Sequence, residues 1–122
     1  MKLNPYLSFS GDCAKAVALY EKAFGVKADI EMQAGSTLVM HAEMKIGDST
    51  VMMYDCAEPV ILGNNIMLTI TFDVSEKAAS AKAFDILSDD GKVIMPFQKT
   101  EWSECFGLLT DKFGVCWNMC QS

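Results

Sequence analysis

The order strand–helix–strand–strand–strand is predicted twice along this chain of 122 residues, the second time about 63 residues after the first. The first copy covers about residues 1–56 and the second about residues 66–122, with a linker at about 57–65. The copies share the order of their elements and the positions of their turns, but few identical residues. We therefore expect one α+β domain, residues 1–122, made of two βαβββ modules.

Periodic apolar residues indicate the first strand and the first helix. The alternation from Leu3 to Phe9 is typical of a strand with one buried face. A helix follows, with Asp12 as its expected N-cap and Gly25 as the residue that ends it. Its apolar stripe repeats at helical spacing and consists of Cys13, Val17, Tyr20 and Phe24.

The second copy shows matching signals. Met67 to Asp73 alternates as a strand, and a helix follows from Ser75 to about Leu87. Val93 to Phe97 is predicted to be the next strand. Because Pro96 has no N–H to donate, this strand is expected at an edge of the sheet or with a bulge.

Each copy ends in a β-hairpin, one turning at 46–49 and the other at 111–114. Counting back from these turns places Glu43 opposite Tyr54, Gly107 opposite Asn118 and Cys105 opposite Cys120. A slip of one residue would reverse every face. In this register the helix-facing side chains are apolar, and the opposite face is mixed. The mixed face contains Asn4, Tyr6, Ser8, Met67, Thr69, Thr71, Cys116, Asn118 and Cys120.

Composition argues against several functions. The net charge is −6 and there is no run of basic residues, so nucleic acid is not an expected partner. No apolar segment approaches the roughly 20 residues of a membrane span. The first residues lack the apolar core of a signal peptide, and the five cysteines form no C-x-x-C pair. These features favour a reducing, cytoplasmic location without membrane contact.

Three segments resemble the vicinal-oxygen-chelate superfamily, which includes glyoxalase I, extradiol dioxygenases and fosfomycin- and bleomycin-resistance proteins. They are Asn4–Cys13, the hairpin His41–Asp55 and Thr110–Trp117. The PhnB-like branch is the one they resemble most. The resemblance implies a cupped, glyoxalase-like mixed sheet that holds a small molecule or a divalent metal, and a homodimer.

PhnB-like proteins often carry the label 3-demethylubiquinone-9 3-methyltransferase. This sequence has no glycine-rich loop after a strand that would hold a nucleotide-type methyl donor. We therefore do not expect methyl transfer.

Metal-dependent members of the superfamily place His or carboxylate ligands at four positions of the sheet. The matching positions here are about Asn4, Tyr54 (or Met52), Met67 and Asn118. None of these side chains is a good ligand for a divalent cation. His41 and Glu43 lie on a different strand and are too few for a tight site. The expectation is a protein without a metal or another cofactor.

His41 and Glu43 are the candidate catalytic residues. They are two positions apart on a strand and therefore share a face, where Tyr54 could complete an acid–base group. The alternative is that His41 is a hydrogen-bonded structural residue and that Glu43 pairs with Lys45 in solvent. The candidate ligand-binding residues are Tyr6, Tyr54, Trp102 and Asn118.

Two further residue types have open interpretations. Trp102 lies in a loop expected to rim the cup, where it could stack on a ligand, form a lid or contact a second subunit. Cys105 and Cys120 could react if they were opposite each other, but buried cysteine also serves as a small hydrophobic residue.

Three functions remain open on the sequence alone. The first hypothesis is a metal-free protein that binds a small, partly apolar molecule. The second is a lyase, isomerase or antibiotic-modifying transferase with His41 as general base and a weakly held metal. The third is a non-catalytic dimeric scaffold.

Overall fold

A computed structural model describes all 122 residues. The chain divides into two compact units, Met1–Ile61 and Leu62–Ser122. Each unit contains one α-helix and one four-stranded mixed sheet in the order β-α-β-β-β. The predicted α+β class with two βαβββ modules is therefore confirmed.

The sheet of the first unit has the strand order β1-β4-β3-β2. Its elements are β1 (Tyr6–Phe9), α1 (Cys13–Phe24), β2 (Asp29–Met32), β3 (Val39–Ile46) and β4 (Ser49–Asp55). β1 runs parallel to β4, and the other neighbouring strands are antiparallel. The first strand is shorter than the sequence predicts, since it begins at Tyr6 rather than at Leu3.

Helix α1 packs the apolar stripe that the sequence predicts. Cys13, Val17 and Tyr20 are almost completely buried, whereas Phe24, the last residue of the predicted stripe, is half-buried. The helix ends at Gly25, which adopts the left-handed conformation (φ 64°) and donates its N–H to the Glu21 carbonyl. Glycine takes this conformation without the steric cost that a Cβ would add.

The start of α1 is capped from a distant strand. The sequence predicts Asp12 as the N-cap, but its side chain makes no capping hydrogen bond. Instead Asp55 Oδ1 accepts the backbone N–H groups of Gly11 at 2.8 Å and Cys13 at 3.0 Å. Asp55 Oδ2 accepts the N–H of Val39 at 2.9 Å. The buried carboxylate of Asp55 therefore joins α1, β3 and β4.

The β3–β4 hairpin corrects the predicted register of the first unit. Ile46 pairs with Ser49 and Glu43 with Met52, so the pairing of Glu43 with Tyr54 is wrong by two residues. The strands pair up to a two-residue turn because Gly47 adopts a positive φ of 58°. A shift of two residues leaves every side chain on its predicted face.

The sheet of the second unit has the strand order β5-β8-β7-β6. A 3-10 turn over Val74–Glu76 precedes its helix, and a capping box between Asp73 and Glu76 closes that turn. The other elements are β5 (Leu68–Phe72), α2 (Lys77–Leu87), β6 (Lys92–Gln98), β7 (Phe106–Thr110) and β8 (Cys116–Gln121). The register of β6 is irregular on both sides of Met95, next to Pro96, and β6 is an edge strand, as the proline predicts.

The β7–β8 hairpin corrects the second predicted register by one residue. Thr110 pairs with Cys116, so Leu108 rather than Gly107 is opposite Asn118, and Phe106 rather than Cys105 is opposite Cys120. The loop between the paired strands is one residue longer than predicted, since it runs from Asp111 to Val115. Within this loop the Asp111 N–H donates to the Val115 carbonyl.

This shift reverses the faces predicted for β7 and leaves the faces of β8 as predicted. Trp117 and Met119 are 1% and 0% exposed, and Met119 pairs with Gly107. A Cβ on Gly107 would lie 2.6 Å from the Phe84 ring of α2, so this face of the hairpin packs directly on the helix.

Candidate functional site

One face of the first sheet carries four of the six predicted site residues. Tyr6 on β1 and Glu43 on β3 both pair with Met52 on the central strand β4, so their side chains share a face. His41 and Tyr54 lie two positions from Glu43 and Met52 and therefore share it too. The intervening residues form the opposite, buried face against α1 and include Phe9, Ala42, Met44, Val51 and Met53.

A chain of two hydrogen bonds joins three of these side chains. The Tyr6 hydroxyl lies 2.8 Å from His41 Nδ1. His41 Nε2 lies 3.1 Å from Glu43 Oε1. Glu43 thus pairs with His41 rather than with Lys45, which was the alternative left open by the sequence. We call the set Tyr6, His41 and Glu43 the Tyr–His–Glu chain.

The chemistry of the acceptor fixes the protons in this chain. An ionised carboxylate can only accept hydrogen bonds, so His41 Nε2 carries a hydrogen and donates it to Glu43. In the neutral imidazole, Nδ1 is then the acceptor, and the Tyr6 hydroxyl donates to it. In many enzymes an acidic group, a base and an orienting carboxylate are hydrogen-bonded in series, and this arrangement is similar.

Aromatic contacts surround the Tyr6 end of the chain. The Tyr6 ring meets the Tyr54 ring edge-on, with centroids 5.1 Å apart, and the His41 ring edge-on at 5.5 Å. Tyr6 is 50% exposed, while the His41 side chain is 33% exposed. The site therefore combines apolar ring surface with a half-exposed phenol, as small-molecule sites commonly do.

The sequence identified these side chains but not how they connect. Tyr54 was expected to lie opposite Glu43, whereas its ring contacts Tyr6, because Tyr54 pairs with Ser8 of β1. The contact between Tyr6 and His41 was missed because it depends on the parallel pairing of β1 with β4. Tyr6 and His41 are 35 positions apart, so their contact leaves no local sequence signal.

The two other predicted site residues belong to the second unit. Asn118 is 7% exposed on β8, and its amide donates to the sulfur of Met67 at 3.9 Å. Trp102 is 62% exposed in the loop between β6 and β7, and its ring contacts Phe106 edge-on.

The donor set does not fit a divalent metal. No group of three His, Cys, Asp or Glu side chains is arranged so that it could hold an ion. Asn118 and Met67 contact each other, and a carboxamide with a thioether is a poor pair for zinc, nickel, manganese or iron. In the first unit, both nitrogens of the only histidine already have protein partners.

The cysteines are free thiols in this structure. Burial, with a smaller contribution from the charge of Asp55, raises the pKa of the Cys13 thiol to about 12. Burial also raises the pKa of Cys105. Since the thiolate is the reactive form, both behave as small buried hydrophobic residues rather than as nucleophiles.

The fold and the sequence together define the class of this protein. A family model for the Glyoxalase/Bleomycin resistance protein/Dioxygenase superfamily matches residues 2–119, and the chain belongs to this superfamily. Neither α1 nor α2 has the length and apolar character that a membrane-spanning helix requires.

Two known proteins are similar to this chain over nearly its whole length. Protein YjdN of Escherichia coli K12 is 33% identical, over 96% of this chain and 92% of YjdN. The crystal structure of PA1353 from Pseudomonas aeruginosa has a TM-score of 0.86 at 28% identity, covering 100% of this chain and 98% of PA1353.

A structure from Bacillus cereus, described as a putative 3-demethylubiquinone-9 3-methyltransferase, PhnB protein, has a TM-score of 0.82. It is 23% identical, and the match covers 100% of both chains. At that identity the likeness shows the fold alone. PhnB-like proteins are therefore among the structural neighbours, as the sequence resemblance predicts.

Proposed function

We propose that this protein binds a small, partly apolar molecule on the sheet face that carries Tyr6, His41, Glu43 and Tyr54. One observation carries the proposal: four separately predicted site residues meet there through hydrogen bonds and ring contacts. A solvated surface face would not need a histidine with both nitrogens engaged beside two packed tyrosine rings.

The polar and apolar parts of the site have separate roles in this proposal. The rings of Tyr6 and Tyr54 offer apolar area, and an edge-to-face aromatic pair contributes about 0.5–1.5 kcal/mol beyond its buried area. The Tyr–His–Glu chain orients the ligand through the exposed phenol. Trp102 and Asn118, in the second unit, are proposed ligand-binding residues of that unit, and each is tested separately.

We propose that binding needs no divalent metal. The support is the chemistry of the residues, since a carboxamide, thioethers and phenols replace the imidazoles and carboxylates that such sites use. The proposal also includes a cytoplasmic homodimer without nucleic-acid or membrane partners. The free cysteines support the reducing location, and the acidic net charge of −6 argues against nucleic acid. The homodimer is proposed from the family resemblance alone.

The second candidate function is an acid–base enzyme of the same superfamily, a lyase, an isomerase or an antibiotic-modifying transferase. The Tyr–His–Glu chain favours it, because a phenol, a base and an orienting carboxylate in series can move a proton. Substitution of His41 by Ala should then abolish turnover while the fold persists.

The experiment is thermal unfolding of metal-stripped protein with a panel of small aromatic and aliphatic compounds, and separately with Ni, Zn, Mn and Fe(II). A ligand at 100 times its Kd stabilises the native state by about 2.7 kcal/mol. We expect at least one organic compound to raise the unfolding midpoint and the metals to leave it unchanged.

Variants of the site residues test whether a compound that raises the unfolding midpoint binds at this site. Tyr54→Ala should weaken binding of the stabilising compound about threefold to tenfold, the equivalent of a lost aromatic contact. Trp102→Ala tests the second unit, and Glu101→Gln beside it is the control. A metal-dependent shift that His41→Ala removes would overturn the metal-free proposal, and no shift with any compound would favour the scaffold.

A further inference from the structure

The hydroxyl hydrogen of Tyr6 points toward His41, within the Tyr–His–Glu chain. His41 Nε2 donates to Glu43 at 3.1 Å, so Nδ1 of the neutral ring must receive a hydrogen. The only such hydrogen on the 2.8 Å contact is that of the Tyr6 hydroxyl. Toward solvent, the half-exposed Tyr6 oxygen therefore presents lone pairs and no hydrogen.

This arrangement changes the role that the sequence assigned to His41. With both ring nitrogens engaged, His41 reaches a ligand only through Tyr6. A ligand atom that meets the Tyr6 oxygen must donate a hydrogen bond, because that oxygen can only accept. The contacting ligand group is thus a hydroxyl or another donor rather than a carbonyl or a carboxylate.

We propose that the Tyr–His–Glu chain accepts a proton from a weakly acidic hydroxyl, phenolic or enolic, of a small aromatic or otherwise partly apolar ligand. The inference rests on the proposed function, since it names the ligand class for the same site. The Tyr6 oxygen supplies the acceptor for the hydroxyl. The ring of Tyr54, packed edge-on against Tyr6, supplies apolar surface beside it.

The proton transfer balances without any further reactant. The ligand O–H bond breaks and its proton bonds to the Tyr6 oxygen, while the Tyr6 proton moves to His41 Nδ1. The electron pair of the broken bond stays on the ligand oxygen, which becomes an anion. Tyr6 now donates to that anion, and the new imidazolium donates to Tyr6 and to the Glu43 carboxylate.

The charged side chains on this face are mostly carboxylates. On β2, Glu31 pairs directly opposite His41 and Asp29 opposite Glu43, which adds two carboxylates to the same face. Lys45 is the cation of this face, and it pairs with Thr50, on the far side of Glu43 from His41. Glu43 is the carboxylate in direct contact, and it both orients His41 and balances its charge.

The test uses 4-nitrophenol, because its phenolate absorbs visible light and its neutral form does not. The probe is added to the full protein at a pH close to the probe's own pKa, where an ordinary imidazole is mostly neutral. The proposal predicts that the phenolate-to-phenol ratio of bound probe exceeds that of free probe about tenfold or more, a shift of at least one pKa unit. Tyr6→Phe, which removes the accepting oxygen, should abolish that excess.

Glu43→Gln separates proton transfer from mere binding. The Gln carbonyl can still accept from His41 Nε2, but it cannot balance an imidazolium charge. Among the probe molecules that this variant binds, we expect most of the phenolate excess to be lost. Glu101→Gln removes a carboxylate from the exposed loop of the second unit and should retain both properties.

Three results would overturn the inference. They are a wild type that does not bind the probe, a bound probe with the same ratio as free probe, and a Glu43→Gln variant that ionises the probe as fully as wild type. None of these decides the proposed function, which depends on the wider compound panel. A panel without any stabilising compound would instead refute the proposed function itself.

Discussion

Two buried carboxylates, one in each unit, have similar structural roles. Asp55 accepts the N–H groups of Gly11, Cys13 and Val39. Asp111 accepts those of Phe113 and Val115, and its other oxygen accepts the indole N–H of Trp117 at 3.0 Å. Hydrogen bonds to an ionised acceptor are roughly twice as strong as neutral ones, so each carboxylate fixes a loop to the strands beside it.

Substitution of Asp55 by Asn tests this role. An amide has one oxygen, so its NH2 group must face at least one of the three backbone donors, and that donor stays unsatisfied in a buried site. We expect a loss of about 2–3 kcal/mol in the free energy of unfolding, measured by urea titration. Asp48→Asn, in an exposed turn, is the matched control, and equal stability of the two variants would contradict the account.

Cys13 predicts a pH dependence of stability. Its folded pKa is raised from 9.0 to about 12, so between these values the unfolded thiol ionises while the folded thiol keeps its proton. The resulting stabilisation is complete below pH 9 and is lost as the pH rises toward 12. The unfolding free energy of wild type should therefore fall more steeply over this window than that of Cys13→Ala.

Cys56→Ala controls for the loss of a thiol at a half-buried position. If the free energy of unfolding falls with pH at the same slope in wild type and Cys13→Ala over this window, burial does not keep the folded Cys13 thiol protonated.

At the scale of elements, the sequence predicts strands and helices well and strand registers poorly. Local periodicity is sufficient for α1, whose buried stripe and terminal Gly25 are as predicted. Register depends instead on how tightly each turn closes. The two-residue turn at Gly47 and the loop closed by Asp111 shifted the predicted pairings by two residues and by one.

Gly107 shows why a helix and a hairpin approach so closely in the second unit. A Cβ there would lie 2.6 Å from Phe84 of α2, and overpacking of this kind costs about 1–3 kcal/mol. Gly107→Ala should therefore lower the midpoint of chemical unfolding by a corresponding amount. Combining it with Phe84→Leu should recover part of the loss, because the two positions contact each other.

Gly63→Ala is the matched control, since a Cβ at that position meets only the Asn65 side chain at 3.5 Å. If the losses of unfolding free energy of Gly107→Ala and Phe84→Leu simply add in the double variant, a Cβ at position 107 does not compete with the Phe84 ring for space.

At the scale of the whole molecule, the resemblance predicted the fold but not the ligand, and the structure gives the reason. The specific motif Thr110–Trp117 is the loop in which Asp111 binds backbone N–H groups and Trp117. The motif Asn4–Cys13 contains the helix start that Asp55 caps. These residues hold the elements of each module to one another, so a chain can share them and bind a different molecule.

The candidate site could be predicted only as a set of residues. Alternation placed Tyr6, His41, Glu43 and Tyr54 on one face, which the strand pairs of the first unit support. The hydrogen-bonded order within that set follows from the parallel pairing of β1 and β4, which has no signature in local sequence. The direction of proton donation follows from that order.

The measurement that tests the central claim most directly is the ¹⁵N NMR spectrum of the imidazole ring. The chain has one histidine, so its ring signals need no assignment by mutagenesis. The account predicts a neutral ring protonated at Nε2 in the free protein, and ring signals that move in step with binding of each compound that raises the unfolding midpoint. A neutral ring protonated at Nδ1, or a stabilising compound that leaves both nitrogen signals unmoved at saturation, would contradict the assignment of this face as the binding site.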